Sequence, residues 1–230
     1  GEDTYASQLA SLLATLRPNQ RVQVINAGVS GYGTWQELRW LQETGLALDP
    51  DVIIVQTHLN DAADNLWGTL GWQQRSESWL VRTSMLARLV SRVSSTRQVG
   101  SGDAPCVTDW KVDDDRVCWQ GTEALLSEIQ REASERGAAL VLMPSPMRWQ
   151  VDAEVRDPRA WVDATRYQDV LAGYGRQHGW IVVDPLPAIR AATSSNDKSL
   201  FLDVGHPDEA GQRIRAQELY IVLSQGGLLP

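Results

Sequence analysis

Val52-Ile-Ile-Val55 is an unbroken run of β-branched apolar residues, entered through Pro50-Asp51 and left through Gln56-Thr57-His58. A strand that is apolar at every position has to be covered on both faces, which is the situation of a parallel sheet packed between helices. Arg21–Asn26 (RVQVIN), Ala138–Met143 and Trp180–Asp184 are further short runs rich in strand-forming residues. The segments between them carry helical spacing. Tyr5, Leu9, Leu12, Leu13 and Leu16 predict a helix that opens after Glu2-Asp3-Thr4. Leu38, Leu41 and Leu48 predict one that Thr34 caps and Pro50 stops. Further helices are expected over about 78–93, 122–136, 159–177 and 208–223, and the stretch after Pro185-Leu-Pro187 reads as irregular and polar. Strands alternating with helices predict an α/β protein. The expected form is a three-layer α/β/α sandwich of flavodoxin-like type, with parallel strands near 22–26, 52–57, 139–143 and 180–184.

The chain has 230 residues, which suits one domain spanning 1–230. Residues 95–120 carry Gly, Pro and Asp without helical period and read as an insertion in that domain. A net charge of -8 argues against a nucleic-acid partner. No apolar run approaches the ~20 residues needed to span a bilayer. The sequence starts at Gly1 without an initiator Met, so processing or excision from a longer polypeptide is expected. Location is not fixed by the sequence, with an extracytoplasmic or secreted one slightly favoured. Cys106 and Cys118 would close a loop in an oxidising compartment and stay reduced in the cytosol, and they lack the four-ligand pattern of a zinc site. Trp67, Trp72, Trp110, Trp119 and Trp149 fall in expected loops, where packing on the core is favoured over lining a cleft.

Parallel sheets carry their sites at the carboxyl ends of the strands. Three turns bring polar residues there: Gly28–Gly33, His58–Asp61 and Asp203–His206. In Leu200-Phe-Leu-Asp203-Val-Gly-His206-Pro207 an acid precedes a histidine by three residues, just before a helix start. A carboxylate so placed can orient an imidazole and leave its other nitrogen free to act as a base. The bland alternative is a capped helix start with a solvated His. Gly31 allows backbone N–H groups to approach an oxyanion, or merely forms a turn. Asn60 offers a neutral amide donor, and the same tetrapeptide also suits an Asx-turn. His58 reads as structural, and His178, ahead of a strand, belongs at the opposite edge of the sheet. Ser30 lies in Gly28-Val-Ser-Gly-Tyr32, where Tyr32 breaks the Gly-x-Ser-x-Gly elbow of a nucleophile.

In order and spacing these turns resemble the SGNH hydrolases, also called GDSL-type esterases, over about residues 1–224. Asn26-Ala-Gly-Val-Ser-Gly31 is similar to their second block, which implies Gly31 as an oxyanion donor. His58-Leu-Asn60-Asp61 is similar to the third block, usually Gly-x-Asn-Asp, which implies Asn60 as the second donor, with His58 in place of the Gly. Asp203-Val-Gly-His206-Pro207 is similar to the fifth block, which implies Asp203 and His206 as the acid and base of a triad. The first block, Gly-Asp-Ser, carries the family's nucleophile and does not occur in these 230 residues. The first, central strand that precedes it is missing too, so the expectation is a truncated chain whose own activity falls far below that of a serine enzyme. The resemblance implies cleavage of carboxylic or acetyl esters through an acyl-enzyme, on a small-molecule or carbohydrate ester, with no cofactor and no metal. Two alternatives stay open. One is acetyl transfer onto a polysaccharide, from a loose likeness around Leu142–Arg148 and Leu200–Asp203. The other is a non-catalytic domain of this type that binds a carbohydrate or protein.

Overall fold

The computed structural model describes residues 4–59, 61, 115–152, 166–196 and 200–229. Helix α1 (Tyr5–Leu16) starts where Thr4 and Ser7 cap each other's backbone: Ser7 N–H donates to Thr4 Oγ1 at 3.3 Å and Thr4 N–H to Ser7 Oγ at 3.1 Å. Then come α2 (Thr34–Glu43), a 3₁₀ turn (Gly45–Leu48), strand β1 (Val52–Thr57), α3 (Asp115–Glu135) and β2 (Ala139–Pro144). A second 3₁₀ turn (Arg148–Gln150), α4 (Arg166–His178), β3 (Ile181–Val182), α5 (Leu186–Asn196) and α6 (Glu209–Gln225) complete the order.

The described strands form one parallel sheet in the order β1-β2-β3, with Val52 opposite Ala139, Thr57 opposite Pro144 and Val141 opposite Ile181. Alternate residues of each strand serve opposite layers. Val55, Leu140 and Leu142 pack with Leu38 and Leu41 of α2, Leu126 and Ile129 of α3, and Leu171 of α4. Val141 and Met143 pack on the other face with Leu9 and Leu13 of α1 and Ala216, Leu219 and Leu223 of α6. This is the α/β/α sandwich that the apolar run at Val52–Val55 predicts. Among the described residues no helix is long and apolar enough to cross a membrane.

Four details differ from the sequence reading. Residues 21–26 form no strand. Val22 and Val24 turn inward onto the cluster that holds Val52 and Ile54, while Arg21, Gln23 and Ile25 stay exposed, so the alternation is present. What is lacking among the described residues is a hydrogen-bonded neighbour, and a strand exists only in a ladder. The last strand shrinks from 180–184 to Ile181–Val182 because Asp184 already serves the next helix, its Oδ1 accepting from Leu186 N–H at 2.9 Å. That helix, α5, was not expected: Pro187 falls in its first turn, where a missing N–H costs nothing. Helix α3 begins at Asp115, inside the expected insertion, and runs through Gly121. Burial of Trp119, which is 2% exposed and tilted on Tyr167 at 5.3 Å between ring centres, outweighs the ~1 kcal/mol cost of a helical glycine. The expected helix at 78–93, residues 95–114, the side chains of Cys106 and Cys118, and Trp67, Trp72 and Trp110 lie outside the described residues.

Candidate active site

The carboxyl ends of β1 and β2 are tied together before the chain leaves the sheet. Ser145 N–H donates to the Thr57 carbonyl at 2.8 Å. The buried Tyr167 hydroxyl donates to that same carbonyl, lies 3.0 Å from Thr57 Oγ1 and accepts from Ser145 N–H at 3.3 Å. Burial, reinforced by the charge of Asp61, drives its pKa well above the ordinary tyrosine value, so it stays a neutral strut. Beyond Thr57, the Asp61 carboxylate reaches back to close the tetrapeptide: His58 N–H donates to Asp61 Oδ2 at 2.8 Å and Asp61 N–H to the His58 carbonyl at 3.1 Å, a bond of the opposite sense to an Asx-turn. The His58 imidazole is partly buried, with Nε2 2.5 Å from the Gln56 amide nitrogen, which requires Nε2 to be the acceptor. Burial first, then the positive charges of Arg215 and His206, push the His58 pKa down to about 4. His58 is therefore neutral at neutral pH and engaged by Gln56, a structural histidine as read from the sequence.

The segment from Leu200 to Asp208 forms a small loop closed at its base. Phe201 and Pro207 make an antiparallel bridge, Leu202 N–H donates to the His206 carbonyl at 2.8 Å and Asp208 N–H to the Leu200 carbonyl at 2.9 Å. Asp208 then caps α6, its Oδ1 accepting from Gly211 N–H at 2.9 Å. Within the loop the Asp203 carboxylate gathers three donors. Gly205 N–H and His206 N–H both reach Oδ1 at 2.8 Å, and His206 Nδ1 lies 2.9 Å from Oδ1 and 2.8 Å from Oδ2. The Gly205 N–H, together with His206, holds the Asp203 carboxyl below its usual range. A carboxylate bound at Nδ1 fixes the tautomer that leaves the Nε2 lone pair free, and the imidazole side chain is 73% exposed. This unit can take a proton from a hydroxyl presented at Nε2.

Of the other sequence candidates, Gly31 sits in the turn after the extended segment with φ +81, and both it and Ser30 are exposed. No hydrogen bond joins either to the Asp203–His206 pair among the described residues. Asn60 lies outside the described residues. His178 stands at the far edge of the sheet, stacked on Trp180 at 4.4 Å and 2.6 Å from Glu123 Oε1.

Sequence reasoning missed a buried polar zone whose charges act on His58 and Tyr167, at the carboxyl end of β1. Arg215 of α6 is 1% exposed, with its guanidinium carbon 5.0 Å from the centre of the Tyr5 ring and Nη1 3.2 Å from Gln212 Oε1. Its Nε and Nη2, and Oε2 of Glu37, have no hydrogen-bond partner among the described residues. Burial, then the charge of Asp61, raises the Glu37 pKa to about 8. The signal available in the sequence was only that Arg215 occupies an inward position of α6, one residue before Ala216.

The model of the GDSL-like lipase/acylhydrolase family matches residues 1–214. The chain belongs to this family. Its members are ester hydrolases of the SGNH type. No curated protein matches the sequence. Solved structures agree on the fold. The acetyl xylan esterase AlAXEase superposes with a TM-score of 0.62 at 15% identity, over 97% of this chain and 92% of its own. LAE5, an alpha/beta hydrolase from the metagenome of Lake Arreo, Spain, gives 0.62 at 20% identity, over 99% of this chain and 83% of its own. A catalytic mutant of Axe2, an acetylxylan esterase from Geobacillus stearothermophilus, gives 0.60 at 18%, over 99% and 83%.

Proposed function

We propose that Asp203 and His206 are the acid and base of a serine ester hydrolase site. The observation that carries this reading is the Asp203 carboxylate seated on His206 Nδ1 at 2.8 Å, with Nε2 left open, in a loop adjoining the sheet. In the reaction, His206 Nε2 accepts the proton of the attacking hydroxyl as that oxygen bonds the ester carbonyl carbon. Asp203 holds the tautomer and stabilises the imidazolium, which then protonates the departing alkoxide. The acyl-enzyme is released by water activated in the same way. Gly31 N–H and the Asn60 amide are the proposed oxyanion donors, a role that rests on their match to the family's second and third blocks. The attacking serine belongs to the family's Gly-Asp-Ser block, absent from these 230 residues. Ser30 is not assigned that role, since Tyr32 breaks the elbow pattern.

The substrate class proposed is an acetyl ester of a small molecule or carbohydrate. Two similar folds are named as acetyl xylan esterases, and catalytic mutants of Axe2 replace a serine and a histidine. The test is incubation with acetylated xylo-oligosaccharide and with 4-nitrophenyl acetate, reading free acetate with and without an unacetylated sugar acceptor. Free acetate that depends on Asp203 supports hydrolysis. Acetylated acceptor in excess of free acetate would overturn it in favour of transfer.

A further inference from the structure

We propose that the turn Met147–Gln150 positions the reacting imidazole, acting through one backbone hydrogen bond. The proposal rests on reading His206 as the base. The loop that carries Asp203 and His206 stands out from the body: Leu202 is 76% exposed and Val204 47%. Its internal bonds fix its shape and the buried Leu200, Phe201 and Pro207 root its base, which leaves the exposed tip to be held. Among the described residues, the backbone of 202–206 makes a single hydrogen bond outside its own turn, in which Arg148 N–H donates to the Val204 carbonyl at 2.9 Å. The Met147 side chain lies beside the same tip, where a Cβ added at Gly205 would meet Met147 Cε at 3.4 Å.

Arg148 opens a 3₁₀ turn, so its N–H has no partner inside the turn and points outward. What aims it is a buried amide pair. Gln150 and Gln168, 6% and 4% exposed, exchange reciprocal bonds of 2.8 and 3.1 Å. Gln150 Oε1 also accepts from Met147 N–H at 2.8 Å, and the Gln150 carbonyl accepts from Arg190 Nε at 3.0 Å. Helices α4 and α5 thereby clamp the turn, and the turn holds the tip of the loop. Gln150 and the Arg148 N–H are positioning groups: neither touches substrate, and both set where Nε2 points.

The test uses a deletion confined to one N–H. Arg148→Pro removes the donor, and proline fits this place because Arg148 opens the turn and Met147 is extended, with φ -105 and ψ 148. Arg148→Ala keeps the N–H while losing the same side chain, including its contact with Asp152. Gln150→Leu loosens the aim of the turn without touching Arg148, and guards against a proline variant that fails to fold. The expected result is hydrogen exchange at Leu202 and His206 amides about 5-fold faster in Arg148→Pro and Gln150→Leu than in Arg148→Ala, the effect of losing one net hydrogen bond. The His206 Nδ1–H resonance should broaden in parallel, and His206-dependent ester hydrolysis should fall in kcat with KM held. Exchange and resonance unchanged in folded Arg148→Pro and Gln150→Leu would overturn the positioning role. The dyad reading fails separately, if wild-type hydrolysis does not depend on His206 at all, and the exchange experiment still decides the positioning role.

Discussion

Replacing Arg215 by Met should stabilise the protein. Arg215 is 1% exposed, and two of its donor nitrogens, Nε and Nη2, have no partner among the described residues. Each unsatisfied buried donor costs ~1–3 kcal/mol, so the pair costs about 2–6 kcal/mol. A second route gives a similar size. Burial pushes the Arg215 pKa down to about 10 from 12.5. At about 1.4 kcal/mol per unit, that is roughly 3 kcal/mol of penalty on the charged form. Against this stand the contact with the Tyr5 ring, ~0.5–2 kcal/mol, and the bond to Gln212, which water can replace at the partly buried amide. Methionine fills most of the same volume and keeps an apolar contact on the Tyr5 ring. The net expectation is a gain of about 1–2 kcal/mol, within the range seen when buried ions give way to apolar residues. For a chain of this length that is roughly 2–8 °C in Tm. Urea and thermal unfolding of wild type and Arg215→Met measure it. A loss of stability greater than ~1 kcal/mol would instead mean that Arg215 is paired with an acid in the folded protein.

Three further outcomes follow from single positions. Gly121→Ala should stabilise by ~0.5–1 kcal/mol, since the glycine is inside α3 and a Cβ there meets nothing within 4 Å; denaturant midpoints check it. Gly211→Ala should destabilise by more than ~2 kcal/mol and loosen the base of the Asp203–His206 loop, because its Cβ would stand 2.6 Å from the Leu200 carbonyl oxygen and 2.9 Å from Pro207 Cβ. Glu37 has a folded pKa raised to about 8, above its unfolded value near 4.5. Its contribution is therefore fully present below pH ~4.5 and lost as pH rises through about 8. Glu37→Gln should flatten the fall in stability over that window, read as the urea midpoint against pH.

The sandwich was legible because its signal is physical and repeated. Val52–Val55 and Ala138–Met143 are apolar on both faces, and both faces are covered by helices whose leucines were spaced for the task. The helix at Leu186 was hidden by two prolines, although Asp184 and the position of Pro187 together spell a helix start. The segment 21–26 has strand chemistry, but pairing depends on a neighbour and no property of those six residues supplies one. At the site, the Asp203–His206 contact was readable since three residues joined by a glycine turn are geometrically local. Gly31 has the left-handed φ that its turn required, yet its distance from the dyad is a long-range quantity that local sequence does not encode. Arg215 and the Gln150–Gln168 pair were invisible for the same reason: burial and partners of a polar side chain arise from elements far apart in the chain.

Whether His206 Nε2 is the base of an ester-cleaving site is read from hydrolysis of 4-nitrophenyl acetate by wild type, His206→Gln, Asp203→Asn and His178→Gln. A positioned general base contributes ~10²–10⁴-fold, separate from the residual catalysis that oxyanion donors and binding supply on their own. His206→Gln is therefore predicted to lower the rate at least ~10-fold, Asp203→Asn to lower it in the same direction, and His178→Gln, at the far edge of the sheet, to leave it unchanged. Equal rates for wild type and His206→Gln, or a loss in His178→Gln as large as that in His206→Gln, would contradict the account.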